Sequence, residues 1–189
     1  FGIYECRTAE ILENVRSCKS EVGVLYLDDF NREVLEKLLA DSGLEFTELF
    51  PCRTYVFLAA GHPLAERALI TLEDLAPYPC LSFDQGQSFY LAEEVYSTYH
   101  YRQVIKASDR ATLLNLMVGL DGYTLCSGIL CEELNGDGYR AVPLDSDKIM
   151  HIGYVKRQGC VLSPLAKIYL EELDRCNVNV LDHPAGPTR

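Results

Sequence analysis

The chain predicts an α/β fold. Three observations carry that prediction: short apolar runs of strand length, segments between them whose apolar residues recur at helical spacing, and Gly, Pro or Asn punctuation at the junctions. The alternation suits mostly parallel sheets. With 48% hydrophobic residues in a chain of 189, there is enough apolar material for one domain or for two small lobes.

Residues 1–6 predict a short strand, which feeds through Arg7 and Thr8 into a helix over about 9–18. Ile11, Leu12, Val15 and Cys18 share one face of that helix. Residues 22–27 form a nearly continuous apolar run of the kind found in parallel strands covered on both faces. Asn31 is placed to cap a second helix, in which Val34, Leu35, Leu38 and Leu39 repeat at helical spacing, and Gly43 to end it. Strands follow at about 44–50 and 54–60. After the turn Gly61-His62-Pro63-Leu64-Ala65 comes Ile70-Thr71-Leu72-Glu73-Asp74-Leu75, where Thr71 and Asp74 can satisfy the free N–H groups of a short helix. A strand at 80–83, a polar loop at 84–87 and a helix at 88–99 come next, the helix with Phe89, Ala92, Tyr96 and Tyr99 on one side.

A strand at 103–107 leads through Ser108 into an apolar helix carrying Leu113, Leu114, Leu116 and Met117, closed near Gly119 or Gly122, and then a strand at 123–126. Residues 135–138 are a turn cluster, and 140–144 and 150–156 read as strands. Ser163 as cap and Pro164 at the first helical position open a last helix to about 175. Residues 177–189 read as an extended tail.

The net charge of −11 and isoelectric point near 4.8 exclude a nucleic-acid grip by these residues, because phosphate binding needs clustered Lys and Arg. The eight cysteines show no CxxC pair and no zinc spacing, and most sit among apolar residues. This pattern favours reduced thiols in the cytosol, the more so as no signal peptide or long apolar run is present; disulfides in an oxidising compartment are the alternative. No GxGxxG, phosphate loop, HExxH or GxSxG occurs, so no cofactor and no metal is expected. His100, His151 and His183 lack any motif linking them to a Cys or Ser, and His62 has turn and packing roles in its own motif. No catalytic residue is expected.

The order GHPLA, ITLEDL, Pro79-Cys80-Leu81-Ser82-Phe83, the segment from Ser108 through Gly119-Leu120-Asp121-Gly122 to Cys126, and the closing helix from Ser163 resembles the effector-binding domain of LysR-type transcriptional regulators. The likeness runs from residue 1 to about 176. It implies two α/β lobes of the periplasmic-binding-protein (type II) kind joined by two crossover strands, with a small-molecule effector in the cleft. Lobe one would hold 1–78 plus 143–176 and lobe two 79–142. The resemblance further implies no enzymatic activity, a cytoplasmic homodimer or higher oligomer in whose two-fold pair helices 9–18 and 88–99 meet, no membrane partner, and DNA contact only through an N-terminal domain absent from these residues. Residue 1 aligns best with the family's second strand, so its first strand and helix are expected to be missing, and Gly119-Leu-Asp-Gly122 departs from the family's usual glycine pair. The rivals are an extracytoplasmic solute-binding protein and an enzyme on the same fold.

Ligands of such folds sit at the carboxyl ends of parallel strands, where loops meet helix N-termini. Three junctions have that form: Cys6-Arg7-Thr8, Gln85-Gly86-Gln87-Ser88 and Ala107-Ser108-Asp109. Each offers a hydroxyl and N–H groups at a positive helix end, suited to a carboxylate; ordinary capping is the alternative at each. Arg7 would neutralise the carboxylate, whereas Arg110 reads as a solvated charge. Asp109 works against an anion, and either accepts a bond from a ligand amine or supports the cap. Cys126 and Ser127 follow a buried strand whose end the resemblance places against the effector. The tyrosines Tyr90, Tyr96, Tyr99 and Tyr101 read as helix packing or subunit interface, because few basic residues accompany them.

Overall fold

The structure, a computed structural model, describes residues 1–28, 32–86, 101–129 and 136–175. The expected helix at 88–99, the Asn31 cap and the tail lie outside the described residues. In chain order the elements are α1 (Thr8–Arg16), β1 (Gly23–Leu27), α2 (Arg32–Asp41), β2 (Leu44–Arg53), β3 (Tyr55–Ala59), α3 (Leu72–Leu75), β4 (Cys80–Phe83), β5 (Val104–Ala107), α4 (Arg110–Gly119), β6 (Tyr123–Cys126), β7 (Tyr139–Pro143), β8 (Ile149–Arg157) and α5 (Pro164–Arg175). They form an α/β architecture, as expected. The chain divides into two compact units, one from Phe1–Pro51, Gln85–Leu91 and Met150–Val178, the other from Cys52–Asp84, Ala92–Ile149 and Asn179–Arg189. Two of the boundaries fall within strands, one in β2 and one at the first residue of β8, and another falls between Asp84 and Gln85, just after β4.

The first unit is built on a three-stranded sheet in the order β1-β8-β2. Its core joins Leu12 and Val15 of α1, Leu25 and Leu27 of β1, Leu35 and Leu39 of α2, Leu44 of β2 and Val155 of β8. Val15 is fully buried there, so it belongs to the core of the unit and is not a surface for a second protomer. Gly153 lets β8 approach β2 closely. A Cβ at that position would lie 2.4 Å from the carbonyl oxygen of Thr47 and 2.3 Å from the Phe46 ring.

Two expectations are corrected in this unit. β1 runs antiparallel to β8, with Gly23 opposite Val155 and Leu27 opposite His151, although its apolar run suggested a parallel strand. An apolar run reports burial, and an antiparallel strand packed under helices is buried as well. Residues 1–6 take up no regular secondary structure.

The second unit holds a five-stranded mixed sheet in the order β5-β4-β6-β3-β7. β4 is parallel to β5 and to β6, while β3 is antiparallel to β6 and β7. The pairing explains why the segment 52–78, expected in lobe one, stands in the second unit: β3 is bonded on both edges to strands from 123–143. Beneath the sheet, Phe57, Leu81 and Met117 form a core, with Leu113, Leu114 and Leu116 of α4 packed against it.

The short connection before β4 is built as its sequence indicates. The Thr71 hydroxyl accepts the N–H of Asp74 at 3.2 Å, and the Asp74 carboxylate accepts the N–H of Thr71 at 3.0 Å, a reciprocal cap. In the preceding turn, His62 is 4% exposed. Its Nδ1 accepts the N–H of Leu64 at 3.0 Å, which places the proton on Nε2, and Nε2 then donates to the carbonyl of Asp121 at 3.0 Å. The ring also packs on Tyr78, with centroids 4.4 Å apart. His62 thereby ties the GHPLA turn to the turn between α4 and β6, where Asp121 adopts a positive φ of 49°.

Burial holds the His62 pKa below its ordinary value of 6.5, and a protonated Nδ1 would confront the Leu64 N–H. A depressed histidine pKa contributes stability that is present above the unfolded value and is lost as pH falls through the folded one. Thermal melts should therefore give a stability that is flat above about pH 7 and declines below about 6.5. His62→Gln should flatten the part of that decline due to this residue; an unchanged slope would refute the assignment.

Candidate functional site

The parallel pairing of β5, β4 and β6 brings their carboxyl ends to one edge of the second unit's sheet. Phe83, Ala107 and Cys126 end the three strands, and the residues that follow them begin the loops where this fold class places ligands. Ser108-Asp109 and Ser127 thus share an edge, as the sequence suggested.

The roles at the β5 junction differ from expectation. The cap of α4 is Asp109, not Ser108: its carboxylate accepts the Thr112 N–H at 2.8 Å and the Thr112 hydroxyl at 2.8 Å. The backbone bond to Thr112, then its hydroxyl, holds the Asp109 carboxyl below its usual range. An aspartate reaches the N–H three residues on with an ionised oxygen, which is a stronger acceptor at a positive helix end than a hydroxyl one residue earlier. Ser108 is exposed beside it.

At the end of β6, the Cys126 thiol accepts the Gly128 N–H at 3.3 Å and Ser127 Oγ accepts the Ile129 N–H at 3.4 Å. Gly128 has a φ of 76°, and a Cβ there would lie 2.5 Å from the Tyr55 ring, so the loop backbone lies flat on that ring. Burial pushes the Cys126 pKa up to about 11, and burial with the nearby Cys126 pushes Cys52 up to about 12. Both thiols stay protonated at neutral pH and make poor nucleophiles. Sequence reasoning missed Tyr55 and Thr54. Tyr55 pairs with Cys126 across β3 and β6, and the Thr54 hydroxyl is buried without a hydrogen-bond partner among the described residues. Their signal in the sequence was only a polar interruption between two strands.

In the first unit the structure brings Arg7, Thr8 and Gln85 together. The buried Gln85 side chain accepts the Thr8 N–H at 3.1 Å, so this helix-end donor is satisfied within the protein and is not open to a ligand as expected. Gly86, at φ 64°, lies under the Arg7 guanidinium; a Cβ there would stand 3.2 Å from one of its nitrogens. Arg7 occupies the N-cap position of α1 without a side-chain cap bond. Gln87 and Ser88 lie outside the described residues. Among the described residues, no group of three or more His, Cys, Asp or Glu is placed to hold a metal ion, and no helix is long and apolar enough to cross a membrane.

Asp109→Ala should cost about 1 kcal/mol of stability through loss of the α4 cap, and Ser108→Ala less than about 0.5 kcal/mol. Denaturant titration of the two variants measures this, and the reverse order would return the cap to Ser108. Alkylation at neutral pH should modify the exposed Cys18 well before Cys52 or Cys126. Peptide mass mapping over time reads the order, and rapid modification of Cys126 would contradict its protonated state.

Comparison with known proteins agrees with this geometry. The family model described as LysR substrate binding domain matches residues 3–176. Among solved structures, HinK, a LysR family transcriptional regulator from Pseudomonas aeruginosa, superposes with a TM-score of 0.62 at 18% identity, over 92% of this chain and 58% of that one. The chain thus spans under two thirds of that regulator's length. The reduced form of OxyR superposes with a TM-score of 0.65 at 21% identity, over 96% of this chain and 82% of that one. The BenM effector binding domain with its effector benzoate gives 0.62 at 18% identity, over 95% and 83%. No individual curated protein matches in sequence. At these identities the superpositions establish the type II periplasmic-binding-protein-like fold, and the family model, covering nearly all the chain, establishes more: the chain belongs to the LysR substrate-binding domain family.

Proposed function

We propose that this chain is the effector-sensing domain of a LysR-type transcriptional regulator and that its effector is a small carboxylate or amino-acid-like zwitterion. The observation that carries the reading is the family match over residues 3–176 together with the loops that open from one edge of a parallel strand array. The BenM domain carries benzoate and the QuiR effector binding domain carries shikimate, both carboxylates. On this chain the cation for such a group is Arg7, whose planar guanidinium matches a carboxylate with two parallel donors. Ser108 and Ser127 offer hydroxyls at the strand ends of the second unit, Gln85 offers a side-chain amide in the first, and Gln87 and Ser88 lie outside the described residues. Thr8 and Asp109 hold helix ends. Cys126 lines the site as an apolar, protonated thiol.

The regulator would act in the cytosol as a homodimer, with DNA contact made by a part of the protein outside these residues; the chain's own charge of −11 opposes phosphate binding. Effector binding would favour one of two pre-existing arrangements and so alter the affinity for DNA by a coupling free energy. No catalytic step is required of any residue.

Benzoate and shikimate serve as probes. A carboxylate that binds only the native state should raise the melting temperature in a concentration-dependent way. Arg7→Ala should weaken that response roughly ten- to a hundred-fold in ligand concentration, the loss expected for a charge-assisted hydrogen bond. An Arg7→Ala variant with the full response would remove Arg7 from the site, and a lack of response to any panel of carboxylates and amino acids would sink the ligand class.

A further inference from the structure

Thr54 is 2% exposed, and its hydroxyl is buried without a hydrogen-bond partner among the described residues. A buried hydroxyl is seldom left so, because it has given up water and received nothing in return. Its place in the second unit supplies a reason. Tyr55 pairs with Cys126 on one edge of β3 and with Pro143 on the other, and the Thr54 carbonyl accepts the Leu144 N–H at 3.1 Å, so on the β7 side the register continues one residue beyond β3. The same step on the β6 side sets Thr54 opposite Ser127. Directly opposed residues of an antiparallel pair stand about 5 Å apart and share a face of the sheet. The buried hydroxyl therefore neighbours the one just past the end of β6. Ser127 is loosely held: its Oγ accepts the Ile129 N–H at 3.4 Å, a long bond, and a serine hydroxyl can accept a second bond while donating its own proton.

We propose that Thr54 is a positioning residue for the effector: when a carboxylate arrives at the end of β6, the Thr54 hydroxyl donates to Ser127 Oγ and Ser127 donates its proton to the carboxylate. The chain runs in one sense. Thr54 gives, Ser127 receives and gives, and the anion receives, so each bond polarises and strengthens the next. The effector thereby favours an arrangement in which the Thr54 hydroxyl is partnered over one in which it is not, and that difference adds to its affinity. The step rests on the functional reading above, since it requires an anionic effector at Ser127.

Thermal melts of the full-length protein with and without benzoate or shikimate test this with two variants. Thr54→Val keeps the shape and removes the hydroxyl. With no ligand added it should melt roughly 2–4 °C above the parent, because an unsatisfied polar group is gone, and it should need about tenfold more carboxylate for the same shift. Thr54→Ser keeps the hydroxyl and loses a buried methyl, so it should melt lower yet respond within about twofold of the parent. A role in packing alone gives the reverse pattern, in which the response follows the shape and not the hydroxyl. A Thr54→Val variant that melts no higher than the parent would overturn the proposal, as would one that keeps the full response, or a Thr54→Ser variant that loses it. A parent that responds to no carboxylate removes the functional reading and this step with it, whereas a full response in Thr54→Val beside a responding parent removes this step alone.

Discussion

The second unit depends on β4 being bonded in parallel on both of its edges. Parallel neighbours cannot be joined by a tight turn; each requires a crossover that returns the chain to the starting side of the sheet. β5 therefore runs alongside β4 from Cys80 to Phe83, β6 begins alongside Cys80 in the same direction, and both strands lead out toward the same edge of the sheet. Cys80, Leu81 and Ser82 of β4 are all buried, and Met117 of α4 packs against Leu81 from one face. The return from α4 into β6 is tight. A Cβ at Gly122 would lie 2.8 Å from the Leu81 side chain, so that glycine is demanded by close approach to the central strand, and Asp121 before it accepts a left-handed backbone. His62 then fixes this turn from the other side through the Asp121 carbonyl. Strand direction, glycine and histidine act on the same few residues, and together they fix where Ser108 and Ser127 begin their loops.

A helix end that invites an anion is also a helix end that the protein must satisfy by itself. The N–H of Thr8 is taken by Gln85 and that of Thr112 by Asp109. These bonds remove two of the donors that a reading of the sequence offers to a ligand. At the second unit's strand ends they leave the Ser108 hydroxyl, which does not cap α4, and the Cys126 thiol, held protonated by burial.

Local order was legible in the sequence wherever the cause was local. The Thr71–Asp74 cap, the left-handed Gly43, the Ser163 hydroxyl accepting the Ala166 N–H, and the exact extents of β4 and β6 all follow from residues within a few positions of one another. What escaped was set by distant chain. The direction of β1 is decided by β8, whose paired residues stand at 151–155, and nothing in residues 22–27 records that partner. β3 reads as any buried strand, and its place in the second unit is decided by β6 and β7. The choice between Ser108 and Asp109 as cap failed for a smaller reason: two adjacent good caps differ by a one-residue shift in the helix start, which propensity does not resolve. Arg7 was legible as a cation near a loop, but its position over Gly86 was not, because it depends on a glycine 79 residues later in the chain adopting φ 64°.

The same distinction separates what this fold holds constant from what it leaves open to change. Leu81, Met117, Gly122 and His62 answer to packing and to backbone geometry, so substitution there is felt by the whole unit. Ser108 and Ser127 lie just past the strand ends, and Ser108 takes no part in capping α4. Their side chains can change without loosening the sheet, which lets one scaffold serve ligands of different shape. Arg7 stands between these cases. Its backbone carbonyl accepts the Ile11 N–H at 2.9 Å as part of α1, a bond that any residue could make, while its guanidinium contributes no cap to that helix. The side chain is thus spared from capping its own helix, and it carries a positive charge in a chain with eleven more acids than bases.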